Sequence, residues 1–177
     1  LFTAKPRSSE DVSEAIQAGI KTIGYNYIQE AESIRENMDI PVQWQMTGHL
    51  QRNKAKKAVR LFDMIETMDS VRLAEEVNKH CAVDNKVMPV LMEVNIGKES
   101  NKTCVLPEHV EKFILQIHEL PNLAYSGIDD HGPLIRNPED ARPYFKITRS
   151  LFEDIKKRDI PHVEMRYLSM RMSNSYI

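Results

Sequence analysis

The sequence predicts a parallel α/β fold, closed as a TIM-type (β/α)8 barrel from which one unit is missing. Three observations lead there. A strand-sized apolar run followed by a helix-spaced pattern recurs seven times along the 177 residues, at roughly 20- to 40-residue intervals with short connections, as parallel βα units require. Polar or glycine-rich residues end almost every one of those runs, as the top face of a barrel requires. No G-x-G-x-x-G follows the first run, which weakens the open, dinucleotide-binding alternative.

Each unit is justified by its own residues. The opening run Leu1-Phe2-Thr3-Ala4 stops at Lys5, and after Pro6 to Ser9 a helical pattern runs from Glu10 to Ala18 and is closed by Gly19. Lys21-Thr22-Ile23 leads into Gly24-Tyr25-Asn26-Tyr27, and Tyr27, Ile28, Ala31, Ile34 and Met38 have helical spacing. Val42 to Thr47 alternates like a strand, Gly48-His49-Leu50-Gln51 follows, and a basic helix runs from Asn53 to about Leu61. A fourth strand spans Phe62 to about Thr67, with Asp69-Ser70 as the N-cap of a helix from Val71 to about Val83. Met88 to Val94 gives the fifth strand, ending at Asn95-Ile96-Gly97, and Pro107 opens a helix that stops before Pro121. Leu123 to Ile128 is the sixth strand, followed by a loop from Asp129 to Asn137 and a helix from Pro138 to about Lys157. The seventh, Val163 to Leu168, ends at Ser169-Met170-Arg171-Met172-Ser173.

Composition bounds the function. One domain, residues 1–177, is large enough for a real core, and 41% hydrophobic with 28% charged residues is a globular mixture. A net charge of −2 points to no polyanionic partner. Apolar runs fall far short of the ~20 residues of a membrane span, and no leader precedes Leu1. The chain therefore reads as cytoplasmic, without a membrane partner. Cys81 and Cys104 show neither metal spacing nor a disulfide framework.

Several segments together carry a family resemblance. They are Ala4-Lys5 after a strand, Gly24-Tyr25-Asn26-Tyr27-Ile28-Gln29-Glu30, Trp44 with Gly48-His49-Leu50-Gln51-Arg52-Asn53-Lys54, Val94-Asn95-Ile96-Gly97, and Leu168-Ser169-Met170-Arg171-Met172-Ser173. This combination resembles the pyridoxal phosphate homeostasis proteins, single-domain relatives of the alanine racemase N-terminal barrel, from Leu1 to Tyr176.

The resemblance implies that pyridoxal 5′-phosphate is the cofactor and Lys5 its Schiff-base lysine. A free lysine has a pKa of about 10.4, so such a residue works best in a partly apolar mouth that lowers it. It implies that Asn26 sits beside the cofactor ring and His49 at the top of strand three. Ser169, Met170, Arg171 and Ser173 would meet the phosphate, offering amides and hydroxyls at a helix start. Plainer roles stand beside these: Asn26 as a helix cap, His49 as a packing residue, Ser169 and Ser173 as caps. The implied partners are the small-molecule cofactor and, as recipients, PLP-dependent apoenzymes.

The chain departs from the family pattern in places. Tyr25 replaces a glutamate, removing a carboxylate at the rim. Asp129 and Asp130 stand where the pattern has Met-Thr, placing two carboxylates near a dianionic ligand. Cys104 stands where glycine is usual, and Arg171 replaces the glycine of Ser-Met-Gly-Met-Ser. At a positive φ that side chain costs roughly 1–2 kcal/mol, the same size as the roughly 1.5–3 kcal/mol of an arginine–phosphate hydrogen bond. Set against the family, the chain is expected to be truncated at both ends, lacking the first helix and the last strand-helix unit, with open edges on strands one and seven.

Other chemistries are weaker. Asp129, Asp130 and His131 suggest a metal site, but consecutive residues do not converge on one ion unaided. Lys54, Lys56, Lys57 and Arg60 form a basic face without interleaved aromatics, which reads as solvated rather than as a nucleic-acid surface. Three functions follow: a carrier that holds PLP without turnover, a degenerate barrel that binds no PLP, and a racemase-like PLP enzyme. The racemase needs a second acid/base that the chain does not evidently supply.

Overall fold

The computed structural model describes residues 1–4, 7–36, 41–99, 102–132 and 137–171. Its strands are β1 (Phe2–Thr3), β2 (Thr22–Tyr25), β3 (Gln43–Met46), β4 (Met64–Met68), β5 (Met88–Val94), β6 (Leu123–His131) and β7 (Val163–Arg171). They form one sheet in the order β1-β2-β3-β4-β5-β6-β7, every neighbouring pair parallel. The α-helices α1 (Ser9–Gln17), α2 (Ile28–Arg35), α3 (Ala55–Leu61), α4 (Val71–Val83), α5 (Val110–Ile117) and α6 (Arg142–Lys156) alternate with the strands. Sequential order is the barrel's winding, since an open doubly wound sheet reverses at a switch point.

The sheet curls, and one contact shows it. Flat parallel strands three places apart lie roughly 14 Å from each other, yet Ser169 on β7 hydrogen-bonds Glu66 on β4 at 3.2 Å. A cleft of about 400 Å³ inside the curl is lined from every strand but β1, with Leu1 beside them. On the convex side the helices bury Val12, Ala31, Val59, Val77, Phe113, Ile117 and Phe152 against Ile23, Trp44, Ile65, Val90 and Ile128 of the strands.

Helix limits follow local chemistry. Ser8 and Asp11 form a reciprocal capping box at the start of α1. Pro107 and Pro138 each open a single 3₁₀ turn that leads into α5 and α6. Ser70 is the N-cap of α4 as expected, but no side-chain hydrogen bond is made there.

Two strands outrun the sequence reading. β6 continues through Asp129 and Asp130 to His131, where a loop is expected. β7 continues through Ser169 and Met170 to Arg171, where a helix start is expected. The two extensions pair with each other, Asp129 with Ser169, Asp130 with Met170 and His131 with Arg171, so neither is visible from its own residues. Gly127 lets the pair form, since a Cβ there would stand 1.8 Å from the Tyr167 carbonyl oxygen.

Candidate cofactor site

The C-terminal ends of the strands share one face of the molecule, and β1 to β3 build its first part. The Ala4 amide donates to the Gly24 carbonyl at 3.0 Å, which fixes the end of β1 against β2. Asn26 follows β2, and its Oδ1 accepts from the Thr47 hydroxyl at 3.0 Å. It does not cap α2, whose N-cap is Tyr27. Gly48 packs on the backbone of Asn26 so closely that a Cβ would sit 2.2 Å from the Asn26 carbonyl oxygen. Thr67 then donates to the Gly48 carbonyl at 2.7 Å. Asn26 is thus held by its side chain and by its main chain.

His49 stands over the next strand end. Its side chain is 58% exposed, and Nδ1 lies 3.3 Å from Oδ2 of Asp69, which is 6% exposed. The Thr103 hydroxyl also donates to that oxygen, at 3.3 Å. Burial pushes the Asp69 carboxyl above its ordinary value; hydrogen bonding from Ser70, the His49 charge and Thr103 pull it down, while nearby Glu93 adds to the rise. Asp69 is therefore an anchor for His49 more than a helix cap.

Asn26 and His49 line one shallow cleft of about 290 Å³ together with Gly48 and Lys54. Ser169 is not part of it. Its hydroxyl is turned to Glu66, and it lines the interior cleft instead. Met170 is half-buried within β7, and Arg171 ends that strand. Lys5 and Ser173 lie outside the described residues.

Two departures from the family pattern sit elsewhere than the sequence suggests. Tyr25 is not at the rim: it is buried under the helices, with its ring stacked on Trp44 at 5.5 Å and 11°. Burial, helped by Glu30, pushes its hydroxyl up to about 12. Asp129 and Asp130 are both fully buried and point to opposite faces of β6. Asp130 accepts from Thr148 of α6 at 2.8 Å, so it belongs to the strand–helix layer. Asp129 shares the concave face with Ser169 and Glu93, its register partners.

The concave face therefore carries Glu66, Glu93 and Asp129, all buried, and the buried Asp69 follows the end of β4 close enough to Glu93 to feel its charge. Glu93 meets His131, whose Nδ1 is 3.2 Å from its Oε1, and Cys104 lies 3.9 Å from the same nitrogen. Burial first, then Glu93, pushes the Cys104 thiol up to about 12. Sequence reasoning missed Asp69, Glu93 and Thr47 as site residues. A glutamate inside Met-Pro-Val-Leu-Met-Glu-Val was the legible signal, because a charge in a buried strand needs a partner.

On the basic face, Lys57 pairs with Glu32 and Arg60 with Asp84. Among the described residues no helix is long and apolar enough to cross a membrane.

Residues 3–177 match the model of the family described as alanine racemase, N-terminal domain. The chain is 34% identical to the pyridoxal phosphate homeostasis protein of Aquifex aeolicus, over 99% of this chain and 77% of that protein. To the homologue of the same name from Pasteurella multocida it is 32% identical, over 98% of this chain and 76% of the other. Among solved structures, PipY of Synechococcus elongatus PCC7942 with PLP bound superposes with a TM-score of 0.87 at 24% identity, covering 98% of this chain and 81% of that one. An alanine racemase from Clostridium difficile gives 0.74 at 12% identity, over 94% and 41%.

Proposed function

The chain belongs to the pyridoxal phosphate homeostasis proteins, within the alanine racemase N-terminal domain family, and on that premise we propose that it is a cytoplasmic carrier of vitamin B6 in its phosphate form. It binds pyridoxal 5′-phosphate as a Schiff base on Lys5, holds it without turnover and releases it to PLP-dependent apoenzymes. The observation that carries this reading is the geometry beside Lys5. β1 ends on the Ala4–Gly24 bond and the sequence passes at once to Lys5, while Asn26 lies two residues beyond Gly24 as Lys5 lies two beyond Thr3, its register partner.

The described residues fit the ring side of such a cofactor. The Thr47 bond takes the Asn26 amide oxygen and leaves the Nδ2 hydrogens as donors, which suit an oxygen substituent on the ring. When bound, the cofactor supplies an aldehyde that condenses with a lysine amine. The three buried carboxylates of the concave face would repel its phosphate, so the phosphate belongs at the rim, with Met170, Arg171 and Ser173. Ser169 reaches it only by leaving Glu66. His49, held by Asp69, lines the cleft beside Asn26 and is the proposed outer wall.

Titration with pyridoxal 5′-phosphate, borohydride reduction and peptide mapping test the proposal. The expected result is a stoichiometric adduct on Lys5 that Lys5→Ala lacks. Scattered labelling of surface lysines, unchanged in the variant, overturns it. Absence of turnover is tested separately: deuterium wash-in to an amino acid that depends on Lys5 would make the chain an enzyme.

A further inference from the structure

Beyond the cofactor reading lies a set of side chains that it does not use. Glu93 comes from β5, Cys104 from the segment after it and His131 from the end of β6, yet one donor atom from each falls within 4.8 Å of the others. His131 Nδ1 lies 3.2 Å from Glu93 Oε1 and 3.9 Å from Cys104 Sγ. A tetrahedral zinc ion with Zn–N and Zn–O of about 2.0–2.2 Å and Zn–S of about 2.3 Å sets its donors roughly 3.3–3.6 Å apart. The two measured separations bracket that window to within a few tenths of an ångström.

The backbone holds the three segments in place. The Val105 amide donates to the Glu93 carbonyl at 3.0 Å, and the Asn95 amide to the Val105 carbonyl at 2.8 Å, so Cys104 is stitched to the end of β5. Lys102 Nζ donates to the Gly132 carbonyl at 3.1 Å, tying the same segment to the residue after His131. The site also has a route in. Glu93 is its buried floor, His131 is 43% exposed, and Cys104 lines an open cleft of about 680 Å³. Lys98 and Lys102 on that cleft are paired with Glu108 and Glu99, which offsets their charge.

We propose that Glu93, Cys104 and His131 form a three-ligand site for a thiophilic divalent cation of the zinc type, with the fourth position open to the cleft. One carboxylate and one thiolate neutralise a dication while the imidazole stays neutral. On binding, the thiol proton leaves to solvent as the sulfur–metal bond forms. Sulfur and imidazole select zinc or cobalt over magnesium or calcium, which take oxygen donors. The site rests on its own geometry: none of its three residues is a proposed contact of PLP, and Glu93 enters that reading only as one of the carboxylates that keep the phosphate at the rim.

The test uses the full chain, reduced and stripped with chelator, without PLP. Calorimetric titration with zinc chloride is expected to give one equivalent, and cobalt(II) to give a thiolate-to-metal charge-transfer band in the near ultraviolet. Cys104→Ser loses that band, Cys81→Ser keeps it, and magnesium neither binds nor competes. Cys104→Ser and His131→Ala each weaken zinc by more than the roughly 10–100-fold that a lost supporting contact costs, with circular dichroism confirming the fold. No zinc binding, a missing band, or binding unchanged in Cys104→Ser overturns the site and leaves the triad a hydrogen-bonded cluster. Borohydride labelling of Lys5 is read on a separate sample, so either proposal fails alone.

Discussion

Tyr25 shows how one residue can look functional and be structural. It occupies a position beside the proposed cofactor residue Asn26, yet the pleat turns it the other way, onto Trp44. Its hydroxyl is buried without a hydrogen-bond partner among the described residues. Tyr25→Phe keeps the stack and removes that group, so it is expected to stabilise the fold by about 1 kcal/mol, read as a shift in denaturant midpoint. Gly48 behaves oppositely. Its missing Cβ is what lets the loop after β3 lie on Asn26, and backbone on both sides cannot yield cheaply. Gly48→Ala should cost roughly 1–3 kcal/mol and also lower PLP labelling of Lys5, whereas normal labelling would separate the loop from the site. Asp69 adds a pH dependence. Its folded pKa is raised, chiefly by burial, so its relative contribution to stability is complete below the ordinary value of 3.8 and is lost as pH rises through the raised value. Asp69→Asn should therefore raise the Tm at neutral pH, with the gain shrinking as pH falls towards 3.8. A fall in Tm at neutral pH would mean that the contacts to His49 and Thr103 outweigh burial.

At the scale of elements, local chemistry was legible and pairing was not. All seven strands were read from their apolar runs, and α4, expected from Val71 to about Val83, spans Val71–Val83, because its apolar positions repeat at helical spacing. The failures are Asp129-Asp130 and Ser169–Arg171. Charged and polar residues signal a strand's end only when water is the alternative; here each segment hydrogen-bonds the other, and Thr148 meets Asp130 from α6. That solution spans 18 residues of sequence and leaves no local trace. The same reason hid the Glu93–Cys104–His131 cluster, whose members are brought together by the β5–β6 register and by the bonds of Val105 to the end of β5. Lys5, Asn26 and His49 were assigned to the cofactor through resemblance, Lys5 also standing where the first apolar run stops. The Thr148 contact makes a prediction at this scale: Thr148→Val keeps the shape of α6 but removes a donor from a buried carboxylate, which should cost roughly 1–3 kcal/mol. Calorimetric unfolding measures it, and an unchanged Tm would show that the other contacts of Asp130 carry the strand–helix layer.

The molecule as a whole is a curled sheet whose two outermost strands are bonded on one side only among the described residues. β1 pairs with β2 through Phe2 and Thr3, a short edge that offers little to a partner. β7 is different, running nine residues from Val163 to Arg171 and, among the described residues, pairing with β6 alone. A long edge strand presents a row of amides and carbonyls that another chain can extend. Its own protection is thin: Glu164 and Arg166 form an exposed pair, while Tyr167 leaves an apolar ring 52% exposed. The 177-residue chain is therefore expected to self-associate. Sedimentation velocity should show a weight-average coefficient that rises with concentration, and Tyr167→Lys should lower it, since an edge lysine resists burial in a second sheet. The association should not depend on zinc, because that proposed site uses no residue of β7. A single monomeric species at every concentration would mean that this edge is already satisfied, and the charged pair with its neighbouring loops would then be the place to look for what satisfies it.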